Sequence, residues 1–461
     1  LPAGADTYYI EVSAWSGAST YVLEIGGQKS MASHGWNASA EFVENELIVQ
    51  ENLTSKVRSP MQTRQALGVS KIVRSISSNY TGPVLYRLNP SAIQAATSRG
   101  KQSGIKPLNS SANRSKFETL QMAKKMRALK QFIYVEPNFI HKASAVPNDP
   151  AYGFQAWHYE QINMPEAWDR SSGMGNVKVA VLDTGVMLNH SDLATRMTSD
   201  GYDFIISQTN SGDGDGPDSD PSDPGDGRDN PLCPNSRDYI SSFHGTHVAG
   251  TVGASGNNNF GVTGVNWNVD IMPIRVLGCS GGNDYEISQG ILYAAGLAND
   301  FDVLPNSPAD IINLSLGSDY ASRISLDAIS AARETGVIVI AAAGNSALSG
   351  NPISYPASYP GVVSVGATNP EGRRAAYSQY NDAIDIAAPG GYSSSNEKFS
   401  SAGVVVSTYA SIEDGLITPS IAGLIGTSMA APHVAGVASL MKGIYPDFTP
   451  DDFDQALSLG L

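Results

Sequence analysis

Four short stretches of this chain carry residues whose types and surroundings suit chemistry. VAVLDTGV (179–186) puts Asp183 at the end of a fully apolar run, with Thr-Gly behind it to turn the chain away. A carboxylate there is poorly solvated and needs a partner. Alone, it reads as a turn or cap residue; aspartic proteases also use Asp-Thr-Gly, but they need a second such site and the sequence has none. FHGTHVAGTVGA (243–254) starts a helix at His244, with glycines where backbones must come close. His244 stands at the mouth of that helix, where a side chain reaches a site. His247, one turn on, faces the packing side as a core histidine. As a metal pair the two are weak, being spaced i, i+3 with no HExxH-type base between them. GTSMAAPHVAG (426–436) starts another helix with Ser428 in its first turn. Unpaired N–H groups and the helix dipole there favour a developing negative charge. Gly426, Ala430 and Ala431 leave room for a substrate, and Pro432 falls early enough to be tolerated. A serine at a helix start is ordinarily an N-cap. AAAGN (341–345) delivers Asn345, whose amide can donate to an oxyanion without changing charge.

The elements that must position these residues are legible in the same rhythm. From about Val146, β-branched runs (VKVAVLDTG, VDIMPIRVL, ADIINLSLG, VIVIAAAGN, GVVSVGAT) alternate with helix-like stretches. That pattern predicts an α/β fold, a parallel sheet with helices on both faces. Such sheets carry their sites at the carboxyl ends of strands, and every stretch above ends there. Ahead of this domain, ELIVQ (46–50) and FIYVEPNFI (132–140) read as strands and Phe117–Lys130 as an amphipathic helix, the pattern of a small α+β domain. Residues 91–116, rich in Ser, Gly, Asn and Lys, read as a flexible insertion. Residues 7–26 alternate as two strands around a Ser-Gly-Ala turn, with Tyr8, Ile10 and Val12, then Tyr21, Leu23 and Ile25, on one face. A lone hairpin is rarely stable, so it reads as the tail of a truncated β-domain. The expected organisation is a partial β-hairpin segment over 1–35, the α+β domain over 36–145 and the large α/β domain over 146–461.

The 461 residues are enough for a large core plus smaller domains. The longest apolar run, around Gly336–Ala343, suits a buried strand rather than a membrane span. The chain opens on Leu1 without a signal-peptide pattern, as a processed or trimmed precursor would. Its net charge of −15 is uneven: −2 over 1–35, +10 over 36–142 and −23 over 143–461. A basic segment beside an acidic one commonly marks an arm for an acidic partner; here that partner lies in the same chain. The acidic domain argues against nucleic acid. Cys233 and Cys279 read as two free buried thiols in a cytosolic protein or a single surface disulfide in an exported one.

Taken together, the Asp183, His244 and Ser428 blocks and the Asn345 block resemble the subtilases in order and context. The resemblance covers roughly 150–461. It implies a serine endopeptidase acting through an acyl-enzyme, with Ser428 as nucleophile, His244 as general base and acid, and Asp183 orienting the imidazole. Asn345 and the Ser428 backbone N–H would form the oxyanion hole. A sedolisin-type acid protease is disfavoured because His244 takes the base position. The alternative is a catalytically silent binding protein held shut by its own N-terminal domain, against which the intact triad and oxyanion residues argue.

The same resemblance carries further expectations. LSLG (314–317) is similar to the strand that pairs with an extended substrate. Ser315, Leu316 and Gly317, with Ala342, Ala343, Gly344 and Ser354, would wall a primary specificity pocket open to a large apolar side chain. HSDL (190–193) and NNNFGVTGV (257–265) resemble the family's calcium site: Asp192 and Asn258 through side chains, Gly256, Phe260 and Val262 through carbonyls, in a loop slightly longer than the subtilisin pattern. The acidic stretch 212–231, with Asp213 and Asp215, reads equally as a second calcium loop or as a solvated loop. Residues 36–145, above all YVEPNFI, resemble the inhibitory propeptide, with cleavage expected within 141–146. The hairpin of 7–26 is similar to the last strands of the pre-peptidase C-terminal domain. A Cys233–Cys279 disulfide follows the pattern of some secreted bacterial subtilases. The implied protein is a secreted monomer acting on proteins or peptides, with calcium as structural cofactor and neither nucleic acid nor membrane as partner.

Overall fold

Val179 and Val181 belong to one buried apolar cluster and Ala180 and Leu182 to another. A strand covered on both faces needs such an uninterrupted apolar run, which is why the 179–182 stretch does not alternate. The computed structural model describes residues 9–13, 20–24, 42–51, 69–71, 82–89, 111–129, 132–140, 145–392 and 403–460. The Ser-Gly-Ala turn, most of the 91–116 insertion and residues 141–144 of the expected cleavage region lie outside them. The chain divides into two compact units, 1–143 and 144–461.

In the first unit, β1 (Tyr9–Ser13) and β2 (Thr20–Glu24) pair antiparallel, with Ile10 opposite Leu23 and Val12 opposite Tyr21. A separate antiparallel sheet has the order β4-β5-β3-β6, formed by β3 (Phe42–Glu51), β4 (Val69–Lys71), β5 (Val84–Leu88) and β6 (Phe132–Phe139). Helix α1 (Ser111–Ala128) starts six residues before the expected Phe117, inside the stretch read as insertion. Leu47 and Val49 of β3, Tyr86 and Leu88 of β5, Val135 of β6, and Met122 and Met126 of α1 share one core. The i, i+4 spacing of the methionines is what lays a helix onto a sheet face.

The second unit is built on seven parallel strands in the order β13-β12-β11-β10-β7-β9-β8. They are β7 (Lys178–Asp183), β8 (Tyr202–Asp203), β9 (Asp270–Arg275), β10 (Ile311–Leu314), β11 (Ile338–Ala342), β12 (Val362–Thr368) and β13 (Ile386–Pro389). The order turns back on itself around β7, and a crevice opens at such a point beyond the strand ends. The helices are α2 (Tyr152–Gln161), α3 (Met164–Trp168), α4 (Gln208–Ser211), α5 (His244–Gly253), α6 (Asp284–Ala294), α7 (Arg323–Glu334), α8 (Thr427–Ile444) and α9 (Pro450–Ser458). Residues of α5 and α8 pack in the cluster of Val179 and Val181, and residues of α6 and α7 in that of Ala180 and Leu182. A hairpin of β14 (Val405–Glu413) and β15 (Leu416–Leu424) leads into α8. Its two-residue turn, Asp414–Gly415, has φ of 50° and 78°, as a type I′ hairpin requires. Among the described residues no helix is long and apolar enough to cross a membrane.

Candidate active site

Asp183 ends β7 and is fully buried. Its Oδ1 accepts the Thr184 N–H at 2.8 Å and lies 2.7 Å from His244 Nδ1. His244 opens α5 behind Phe243, whose φ of 42° is left-handed, a conformation that costs a bulky residue about 1–3 kcal/mol. Phe243 is held there by burial and by edge packing on Tyr409. The His244 side chain is 22 % exposed. Burial lowers its proton affinity, but the Asp183 charge and hydrogen bond, followed by Asp226 and Asp223, outweigh it and raise the pKa. His247 is buried against the Val405 carbonyl at 3.0 Å, and burial depresses its pKa to about 3.

Ser428 stands in the first turn of α8, after Gly426 at φ 150°. Its Oγ donates to the Ser315 carbonyl at 3.2 Å, and Ser315 Oγ donates to the Ser428 carbonyl at 2.8 Å. Asn345 follows the end of β11. Its Oδ1 accepts from the Thr427 N–H at 2.9 Å and from Thr427 Oγ1 at 3.0 Å. Both bonds fix the oxygen, so the amide N–H₂ is the part left to donate. Thr427 Oγ1 in turn accepts the Gly344 N–H at 3.0 Å. Sequence reasoning passed over Thr427, although its place between Gly426 and Ser428 was the available signal. Of the expected pocket residues, β10 ends at Leu314, so Ser315, Leu316 and Gly317 run beyond the strand, while Ala342, Ala343 and Ser354 are buried. A Cβ on Gly317 would fall 2.8 Å from Ser354 Oγ, so these two face each other closely.

The acidic stretch turns out to brace the start of the His244 helix. Asp226 accepts from the Ser242 N–H at 2.6 Å and from Ser242 Oγ at 2.7 Å, and Asp229 accepts from Ser241 Oγ at 2.6 Å. Both clamp the residues just before Phe243 and His244. Buried Asp223 accepts from Thr184 Oγ1 at 2.6 Å, and that hydroxyl accepts the Gly245 N–H at 3.0 Å. Burial pushes the Asp223 carboxyl up to about 7. Arg275, also buried, ends β9; it donates to the Thr184 carbonyl at 3.1 Å and pairs with Asp203 and Asp213. Burial raises Asp203 to about 7 despite that pairing. Of the two readings of this stretch, a calcium loop at Asp213 and Asp215 or a solvated loop, neither foresaw these contacts. The Asp213 carboxylate is committed to Arg275 and to the Asp215 N–H, a partner distant in sequence that no local pattern shows.

The other expected calcium position is partly assembled. Asp192 is fully buried; its Oδ2 accepts the Val262 N–H at 2.9 Å and its Oδ1 the Asn258 amide at 3.1 Å. Asn258 thus turns its nitrogen to Asp192, and its oxygen accepts the Phe260 N–H. Asp149, unnoticed in the sequence, is buried against the same loop and accepts the Asn257 and Asn258 N–H groups. Burial raises the pKa of both carboxyls, and among the described residues neither meets a Lys or Arg. Hard oxygens without a cationic partner fit a divalent ion. Among the described residues, however, no three His, Cys, Asp or Glu side chains converge as a cage.

Cys233 and Cys279 form a disulfide over a separation of 46 residues. Cys233 is buried rather than at the surface.

The profile described as Subtilase family matches residues 175–458. The chain belongs to the subtilase family. It is 38 % identical over 339 residues to an extracellular basic protease of Dichelobacter nodosus, covering 70 % of this chain and 53 % of that one. It is 33 % identical over 297 residues to thermitase of Thermoactinomyces vulgaris, covering 64 % and 85 %. A solved protease structure from Pseudoalteromonas arctica is similar with a TM-score of 0.60 and 43 % identity, over 68 % of this chain and 91 % of that one. This subtilase chain spans about half the length of its extracellular relatives from Dichelobacter and Xanthomonas.

Proposed function

We propose that this subtilase is a secreted serine endopeptidase hydrolysing peptide bonds through an acyl-enzyme. The observation that carries the reading is His244 Nδ1 set 2.7 Å from buried Asp183, which leaves the other ring nitrogen to act as base. Ser428 attacks the scissile carbonyl while His244 takes its proton and later gives it to the leaving amine. Asp183 holds the tautomer and steadies the imidazolium. The Asn345 amide, turned outward by Thr427, and the Ser428 N–H receive the oxyanion. Residues 315–317, past the end of β10, offer backbone to an extended substrate. Ser428→Ala is expected to abolish hydrolysis of unstructured protein, and a serine-directed phosphonate to label Ser428. Casein hydrolysis near the wild-type level in Ser428→Ala would reject the reading.

Residues 36–145 are read as an inhibitory propeptide acting on the peptidase domain, cut within 141–146. Opposite charges, +10 on 36–142 and −23 on 143–461, support an attraction that weakens with salt. Between low and physiological ionic strength the Debye length falls from about 30 Å to about 8 Å, so inhibition by the added segment is expected to weaken over that range. Calcium is read as a structural ion held by Asp192, with Asp149 and the 256–262 loop; when bound it supplies the positive charge these buried carboxylates lack. Stability is expected to grow logarithmically with free calcium, and a melting temperature indifferent to chelator would remove it from the account.

A further inference from the structure

Pro432 sits inside α8, four residues after Ser428. Proline has no N–H, so the Ser428 carbonyl is denied the donor that position i+4 gives in a helix. The replacement comes from outside the helix, where Ser315 Oγ donates to that carbonyl at 2.8 Å. Ser315 has one hydroxyl proton to direct. Asn313 Nδ2 donates to Ser315 Oγ at 3.0 Å, which leaves that proton to point at Ser428. Asn313 and Ser315, both buried, therefore form one relay from β10 to the half-buried Ser428 at the start of α8. Asn313 Oδ1 is left without a partner among the described residues. The opposite amide orientation would draw the Ser315 proton to Oδ1 and strand the Ser428 carbonyl instead. A buried unpaired acceptor costs about 1–3 kcal/mol, and the arrangement places that cost on Asn313 rather than on the residue bearing the nucleophile.

We propose that Ser315 and Asn313 are positioning residues that replace the hydrogen bond deleted by Pro432 and thereby fix Ser428 against the end of β10. The inference rests on Ser428 being the nucleophile and gives Asn313 and the Ser315 side chain a positioning task separate from the backbone that residues 315–317 offer to substrate. It also explains why a proline is acceptable so close to a residue whose placement matters: a shift of about 1 Å can cost about 100-fold in rate.

The test is a double-mutant cycle on the matured enzyme, with active sites titrated by a serine-directed phosphonate and folding checked by thermal melts. Ser315→Ala is expected to lower kcat by about 10- to 100-fold with KM within about twofold, and to slow phosphonate labelling of Ser428 by a similar factor. Pro432→Ala returns an N–H to the helix and by itself changes kcat little. In combination it is expected to recover most of the Ser315→Ala loss, because the Ser428 carbonyl again has a donor. A merely structural role for Ser315 would give additive losses. If Ser315→Ala fails to fold, Ser315→Cys, a weaker donor of similar size, enters the same cycle. Wild-type kcat in the Ser315 variant, or no rescue by Pro432→Ala, overturns the proposal. Undiminished activity in Ser428→Ala would instead overturn the nucleophile reading beneath it.

Discussion

On one side of the candidate site, Ser428, Thr427, Asn345, Ser315 and Asn313 are neutral groups tied by hydrogen bonds of 2.8–3.2 Å. On the other, Asp183, His244, Asp223, Asp226, Asp203 and Arg275 crowd charged or titratable groups around Thr184 and the mouth of α5. Neutral bonds hold the same geometry at every pH. The charged cluster sets proton affinities and changes with pH. The side proposed to carry the nucleophile therefore fixes where atoms stand, and the side proposed to carry the base fixes which protonation state they hold.

The largest effects should break either side outright. Asp183→Ala is expected to lower kcat by about 10⁴-fold, the scale established for the triad aspartate of a subtilisin, if Asp183 holds His244 as proposed. Asn345→Ala is expected to lower kcat by about 100- to 1000-fold, again a magnitude established on a subtilisin, with KM little changed. The comparison adds a sharper demand: Asn345→Ala must leave the pH dependence of kcat/KM in place, because no titrating group is altered. A displaced acid limb in that variant would show the two sides to be coupled.

How much of this was legible in the sequence differs between the two sides. The residues at strand ends and helix starts stood out because short apolar runs and glycine-rich turns are local patterns. Strands β7, β9, β10, β11 and β12 of the parallel sheet were legible for the same reason. Strand β13 was missed because IAAP has one β-branched residue and ends in proline, and the β14–β15 hairpin because Pro419 and Gly423 interrupt the pattern of β15. Yet Asp414-Gly415 was a visible hairpin signal. The roles of Asp223, Asp226 and Arg275 were not legible. Each depends on a contact across tens of residues, and an acidic loop that folds back on Ser241 and Ser242 has the composition of one that is merely solvated. Asp149 escaped notice for the same reason, meeting Asn257 and Asn258 more than a hundred residues on.

A smaller effect probes the charged side without removing its parts. The His244 pKa is raised, so on the proposed reading the base is lost as pH falls through a value above the ordinary one for a histidine, and the acid limb of kcat/KM should lie there. Asp226 contributes to that rise. Asp226→Asn is expected to move the limb to lower pH, most clearly at low salt, where exposed charges are least screened. A limb that stays put would assign the whole shift to Asp183 and its neighbourhood.

The smallest predicted effect is on stability and comes from Asp223. Burial holds its folded pKa near 7, above the roughly 3.9 of an unfolded aspartate. The group therefore stabilises the native state fully only below the unfolded value, and that contribution is lost as pH rises towards 7. Buried histidines act in the opposite sense over the same range. His247 and His433 are depressed to about 3 and about 4, so the unfolded chain takes up protons first as pH drops below about 6.5. The two sets offset each other between about pH 4 and 7, which should leave the wild-type stability curve flatter there than either set alone would make it. Asp223→Asn removes one titrating member while its amide oxygen can still accept from Thr184 Oγ1. Melts of the phosphonate-blocked protein should then show no change at pH 4 and a higher melting temperature at pH 8, by about 2–4 °C for each kcal/mol of relief. A lower melting temperature at pH 8 would mean that the ionised Asp223 is stabilised by its surroundings, with Thr184 and Arg275 outweighing the cost of burial.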